Sequence, residues 1–397
     1  MGVRKVKRCL RAWLRDPAAR VSLVLYFSVR VGLSLWGAVV LALIPVQWSS
    51  DSVVRPYLGS EPVDSGLARW FLEPWQRFDV PHYLHLAREG YRLDEDIYSI
   101  HPPLYPLLIR WLGDLLGGEE QYLLAALLIS NLAVLGYCLV FAGLARDAVG
   151  PRHASCAQLY TMSYPWAFFL WVGYAESLFL FLAALAFWAM WRRRWWMAGV
   201  CGALAALTRV QGAVLALPLL FEALYRRHFR LLPLRLNLVW SLLPGLAAVG
   251  FLLWRAQAGF EPMRVVWAMR FHDNAVWPWE SLSYAVRVLV SGEAHITDYL
   301  NLGAALPFLG LVILAWGRLS TPYALYMTAA WWFSLSHTRV PHPLASMGRY
   351  MVGLFPAFFL LGRAGARSPW LNRLILYPSL ALLLFLSASF VLWGWSG

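Results

Sequence analysis

Long apolar runs separated by short polar turns dominate the chain, and the runs are of two lengths. Seven of them, at 21–44, 122–145, 155–171, 174–191, 236–254, 299–317 and 372–393, approach the roughly 20 residues that a helix needs to cross a bilayer. Four shorter runs form two pairs. One pair is 195–207 and 213–225, joined at Thr208-Arg209-Val210-Gln211-Gly212. The other is 322–335 and 350–362, joined through a stretch rich in His, Pro and Arg. The pattern predicts an all-α polytopic membrane protein of about eleven spans, a single unit over 1–397. Two long polar loops, 45–121 and 255–298, would lie on one side.

Composition agrees with that picture. Of the 397 residues 60% are hydrophobic and 14% charged, with a mean hydropathy of +0.55, whereas soluble domains carry about a quarter charged residues. Disordered, collagen-like and small disulfide-stapled classes are excluded. The net charge of +13 is not a nucleic-acid stripe, because the basic residues fall between apolar runs. With a cytoplasmic N-terminus, the inner segments hold 20 of the 34 Lys and Arg against three acids, Asp16, Asp147 and Glu222, as the positive-inside rule requires. The basic N-terminus and the 24-residue run after it read as a retained first span rather than a cleaved signal. Cys9, Cys138, Cys156 and Cys201 lack any metal or disulfide spacing. The polar chemistry is thus expected on the outer face.

Several ionisable residues stand where they are costly. Asp79 precedes an amphipathic stretch in the first outer loop and suits either a general base, partly desolvated by its surroundings, or a helix cap with Arg77 as a surface partner. The 195–207 run would rise only about 20 Å, so Arg209 should lie below the outer surface facing a cavity. His337, Arg339 and Arg349 fall in the equivalent turn of the second pair. Arg30 lies ten residues into the first span and needs an anion, carbonyl or water partner. Glu176, at another outer turn, suits an ion pair with one of these arginines or contact with substrate. His82 and His85 lack a clear third ligand, and Asp94-Glu95-Asp96 reads as a solvated acidic loop. No cofactor is therefore expected, a divalent metal being the weaker alternative.

Taken in order, several segments resemble PIG-V-like mannosyltransferases, the family of glycosylphosphatidylinositol mannosyltransferase II. They are Phe78-Asp79 with His85-Leu86-Ala87 and Gly90-Tyr91, Pro102-Pro103-Leu104-Tyr105-Pro106, Tyr164-Pro165-Trp166 with Gly173-Tyr174-Ala175-Glu176-Ser177, Leu207-Thr208-Arg209-Val210-Gln211-Gly212, and Gly348-Arg349-Tyr350. The likeness covers roughly 70–225 and 345–362. The chain departs from the family at Phe78, where Trp is usual, at Val80, at Ile100-His101 and at Val210-Gln211, while keeping the aspartate and Arg209.

The resemblance implies a GT-C fold and an inverting transferase. Mannose would pass from a polyprenyl-phosphate donor to a hydroxyl of a lipid, glycan or protein acceptor on the outer side of the membrane. It assigns Asp79 as base, and Arg209, Arg349, His101 and Arg30 to the donor phosphate. Arg77, His85, Tyr105, Glu176, Gln211, His337 and Arg339 would contact substrate. A bacterial plasma membrane is the expected location, or the endoplasmic reticulum for a eukaryotic source. The rival reading from another class is a transporter or flippase of an amphipathic anion, which inverted repeats would favour; none is visible.

Overall fold

A computed structural model describes residues 17–44, 57–58, 63, 65–229 and 236–395. The basic tail before residue 17, with Cys9, and most of 45–64 lie outside the described residues.

The chain opens with α1 (Pro17–Leu43). The first polar loop then contributes α2 (Gly66–Phe71), α3 (Asp79–Glu89) and α4 (Leu104–Leu116). Next come α5 (Tyr122–Val149), α6 (Pro151–Ser163), α7 (Glu176–Trp191), α8 (Trp195–Thr208), α9 (Ala216–Tyr225) and α10 (Leu236–Gln257). The second polar loop holds α11 (Met263–Phe271), the strand β1 (Asp273–Ala275) and α12 (Pro278–Ser291). The chain closes with α13 (Ile296–Arg318), α14 (Thr321–Leu335), β2 (His337–Arg339), α15 (Met347–Met351), α16 (Ala357–Gly365) and α17 (Pro369–Val391). The protein is therefore an all-α polytopic membrane protein with one small strand pair.

Among the described residues five helices, α1, α5, α10, α13 and α17, are long and apolar enough to cross a bilayer. That is fewer than the seven long runs, because the 174–191 run forms only the 16-residue α7 and the 155–171 run is broken. The 155–171 run is helical only to Ser163, since Pro165 lacks an N–H and restricts Tyr164 to extended backbone. Residues 164–175 then cross the protein interior, fully buried, as a 3-10 turn and coil. Irregular backbone at membrane depth is tolerated where side chains take up its polar groups. Asn131 donates to the Trp171 carbonyl at 3.3 Å, and Arg30 reaches the same oxygen at 3.5 Å. The 350–362 run is likewise interrupted, between α15 and α16, by Leu354-Phe355-Pro356.

Outward faces are apolar too. On α1, Val24, Phe27, Val31, Leu35 and Val39 form an exposed stripe at helical spacing, the expected surface toward lipid. The opposite face of α1 packs on α5 and α6, and α7 is nearly all buried between α5 and α8. The two polar loops do not hang free. Arg270 of α11 pairs with Asp96 at 3.0 Å, and Arg255 of α10 donates to Ser99 at 2.8 Å. The strand β1 pairs antiparallel with β2, aligning Asp273 with Arg339 and Ala275 with His337.

Candidate active site

Three chain reversals carry the charges that meet here. Phe78 has φ +51°, a left-handed conformation unusual for a residue with a side chain, and its ring is held among Phe390, Trp393 and Trp395. Strain of this kind persists where packing over-determines it. It aims Asp79, the first residue of α3. The helix has no side-chain cap, so Asp79 is not spent on capping. Its backbone N–H donates instead to the Tyr174 hydroxyl at 3.1 Å.

The second reversal follows α8. Arg209 is extended, and the chain folds back so tightly that a Cβ on residue 212 would lie 2.4 Å from the backbone N of Ala206. Only glycine fits there. The third is at Gly348, where a Cβ would lie 2.1 Å from the Trp166 ring. The Gly348 N–H donates to Asn301 of α13 at 2.9 Å, and its carbonyl accepts from Tyr164 at 3.1 Å, which fixes the backbone before Arg349.

The side chains so placed form a chain of alternating charge. Arg349 Nη1 donates to Asp79 Oδ2 at 2.8 Å, and Arg349 Nε lies 3.2 Å from Glu176 Oε1. Arg209 Nη1 donates to that same Glu176 oxygen. Glu176 Oε2 is buried without a hydrogen-bond partner among the described residues. Arg349, Glu176 and Arg209 are all less than a fifth exposed, and Asp79 is the most open of the four at 27%. Two guanidinium groups and two carboxylates leave the cluster neutral.

Asp79, Arg209 and Arg349 face one cavity of about 490 Å³, within the size range of small-molecule sites. His82, His101, Gln211, His337, Arg339, Tyr350 and Trp395 line it as well, with Arg264, Trp267 and Asp273 from the second polar loop. Burial raises the Asp79 carboxyl, but the Arg349 guanidinium, the neighbouring His82 and His101 and the hydrogen bond from Arg349 outweigh it, leaving the group below its ordinary range. Burial, with His82, Arg209 and Arg349 nearby, pushes the His101 imidazole down to about 3 against the pull of Asp79. Burial lowers His82 too. The site thus holds a carboxylate kept low by Arg349 beside two imidazoles whose protonation burial opposes.

The far wall is different in kind. His337 Nδ1 lies 3.3 Å from Asp273 Oδ1 across the strand pair. Arg339 stacks on Phe271 at 5.4 Å, with its Nε buried and without a hydrogen-bond partner among the described residues. No carboxylate pairs with Arg264 or Arg339 among the described residues.

Five residues expected at the substrate or donor lie elsewhere. Arg77 is no surface partner: it is fully buried, paired with Glu73, donates to the Val391 carbonyl at 3.0 Å, and lies 4.8 Å from the Trp393 ring. Glu73 stands four residues earlier, a spacing that signals this pair in the sequence. Arg30 is occupied by the Trp171 carbonyl and lies 5.8 Å from the Trp75 ring. His85 pairs with Glu95 at 2.7 Å. Tyr105 is buried behind the site, bonding Ser130 at 2.7 Å; Ser130 in turn donates to the Tyr174 carbonyl, so Tyr105 steadies the segment that holds Asp79. Glu176 sits behind the two arginines rather than in the cavity wall. The acidic 94–96 loop is divided among three partners, Asp94 with Arg92, Glu95 with His85 and Asp96 with Arg270.

A polytopic membrane protein with a charged cavity lined by the helix ends opposite its Arg-rich turns is the class that this fold and site define. The resemblance seen in the motifs is found again in curated relatives. GPI alpha-1,6-mannosyltransferase 2 of Rattus norvegicus is 32% identical over 213 residues, 51% of this chain and 42% of that one. The Mus musculus protein of the same name gives the same figures, and that of Cricetulus griseus is 30% identical over 209 residues. The match therefore spans less than half the length of these relatives. No family model matches the chain. ArnT from Cupriavidus metallidurans, crystallised bound to undecaprenyl phosphate, is similar over 94% of this chain and 76% of that one, at 15% identity and a TM-score of 0.46. A likeness at that level carries no argument.

Proposed function

We propose that the chain is a GT-C-type glycosyltransferase that moves mannose, with inversion, from a polyprenyl-phosphate donor to an acceptor hydroxyl at the outer face. One observation carries the reading: Asp79, an ionised carboxylate, opens on the same cavity as Arg209 and Arg349. Acceptor oxygen attacks the anomeric carbon as the bond from that carbon to the donor's phosphate oxygen breaks. Asp79 takes the hydroxyl proton, and the phosphate leaves with the bonding electrons. Arg209 and Arg349 stabilise the charge that gathers on it, a task suited to guanidinium groups in a water-poor site. The motif likeness and the named relatives support mannose as the sugar. The alternation of basic helix ends supports an outward-facing cavity. The long apolar helices around the site suit a donor whose tail stays in lipid.

The test is transfer of labelled mannose from polyprenyl-phosphate mannose to an extracted lipid and glycan pool by purified wild type and Asp79→Asn. Label should move with wild type and not with the variant, and the labelled product identifies the acceptor. Equal transfer by both removes Asp79 from the mechanism; transfer by neither, with other lipid-linked sugars failing too, rejects the transferase.

A further inference from the structure

Asp79 poses a difficulty for its own role. A base must accept a proton, yet the group lies below its usual range because Arg349 covers one of its oxygens. The same guanidinium is one of two aimed at the proposed phosphate. Both demands fall on the Nη edge of Arg349, whose Nη1 is already given to Asp79.

We infer that the Asp79–Arg349 ion pair is the empty-site state, and that a phosphate entering the cavity takes Arg349 from Asp79, freeing the carboxylate to act as base. The inference rests on the phosphate-bearing donor proposed above and deepens it. Geometry favours the exchange over simple addition. The Nε edge of Arg349 lies 3.2 Å from Glu176, an ion pair without a hydrogen bond that sits outside the cavity, so its Nη edge can change partner while that ion pair stays. Glu176 Oε1 also holds Arg209, keeping the two guanidinium groups together. The resting cluster is neutral, so an added anion leaves an excess negative charge in a poorly hydrated place unless a proton follows it. The groups facing Asp79 are Arg349 from α15, His82 and Tyr83 from α3, His101, the Tyr174 hydroxyl and, one residue further back, Glu176 and Arg209. Of the two cations among them, Arg349 alone touches Asp79, so its departure raises the carboxyl. Donor binding would thus switch on its own base, and an empty site would be a poor base toward water or stray hydroxyls.

The probe is undecaprenyl phosphate, with uncharged undecaprenol as the control, binding to the full chain in lipid nanodiscs. Removing the competitor by Asp79→Asn should tighten undecaprenyl phosphate binding about tenfold near pH 7, a modest value for one charge-assisted contact. It should also remove the part of the wild-type affinity that rises as pH falls toward 5, because there Asp79 protonates as the phosphate binds. Wild type alone supplies a second readout: infrared difference spectra near pH 5 should gain a protonated-carboxyl band when undecaprenyl phosphate is added, and none with undecaprenol. Equal affinities and pH slopes in the two proteins, with no new carboxyl band, overturn the exchange while leaving a lipid-phosphate site intact. Undecaprenyl phosphate binding no better than undecaprenol to either protein overturns the donor reading, and the exchange with it.

Discussion

The two walls of the cavity carry similar charges and hold them differently. On the inner wall Asp79, Arg349 and Arg209, with Glu176 behind them, are joined by contacts of about hydrogen-bond length, mostly buried, on backbone that Gly212, Gly348 and the strained Phe78 allow no other course. On the outer wall Arg264 is exposed and Arg339 half-exposed, neither with a carboxylate partner among the described residues, and Asp273 turns to His337 instead. Fixed dipoles and charges cost no rearrangement at the moment of reaction, which is what bond-breaking needs. Loosely held cations are better suited to selecting among ligands. Under the proposed function, the inner wall would carry the chemistry and the outer wall the recognition.

Substitutions break that comparison most sharply at Asp79. Asp79→Asn should lower turnover by about 10²–10⁴-fold, the usual loss of a general base, in a mannose-transfer assay with unchanged thermal unfolding. Arg349→Gln should cost about 10²–10³ in kcat, comparable to losing one donor to a developing charge; a change confined to the donor KM would move Arg349 to the recognition side. Arg339→Gln should raise the acceptor KM about tenfold, near 1.4 kcal/mol, with kcat and donor KM almost unchanged. A fall in kcat as large as that of Arg349→Gln would erase the distinction between the walls. The smallest effect is one of pH. A lowered Asp79 stays ionised as pH falls through its ordinary range, and a His101 pushed down to about 3 stays neutral there too. The kcat/KM profile for the donor, which reports the empty site, should accordingly be flat from pH 8 to about 5. An acid limb near 6.5 would mean that a histidine works in the charged form.

Much of this was legible beforehand for a physical reason. Bilayer length selects apolar runs, and a run too short to cross must stop at depth, which puts Arg209 at depth on the sequence alone. Asp79 before its amphipathic stretch and Arg349 in the turn of the second short pair were singled out by position, and the ordered motifs then implied their roles. What failed was partner choice. Arg30, Arg77, His85 and Tyr105 are polar residues in the expected regions, but each is consumed by a nearby carbonyl, carboxylate or hydroxyl. An isolated sequence shows the costly residue and not what settles the cost. The strand pair escaped notice because three residues on each side are too few for an alternation signal. Trp395 escaped because nothing in a short Trp-rich tail distinguishes a cavity wall from an interfacial anchor.

That strand pair has a bearing on how such a cavity could change hands between acceptors. Two ribbon segments more than sixty positions apart are sewn together residue for residue, Asp273 to Arg339, Asn274 to Thr338 and Ala275 to His337. A one-residue insertion in either segment would turn its inward side chains outward. New specificity at this mouth is therefore a paired inheritance: a chimera that exchanges 255–298 alone should arrive with its seam mismatched, and only one that carries 336–346 along with it should deliver the donor protein's taste.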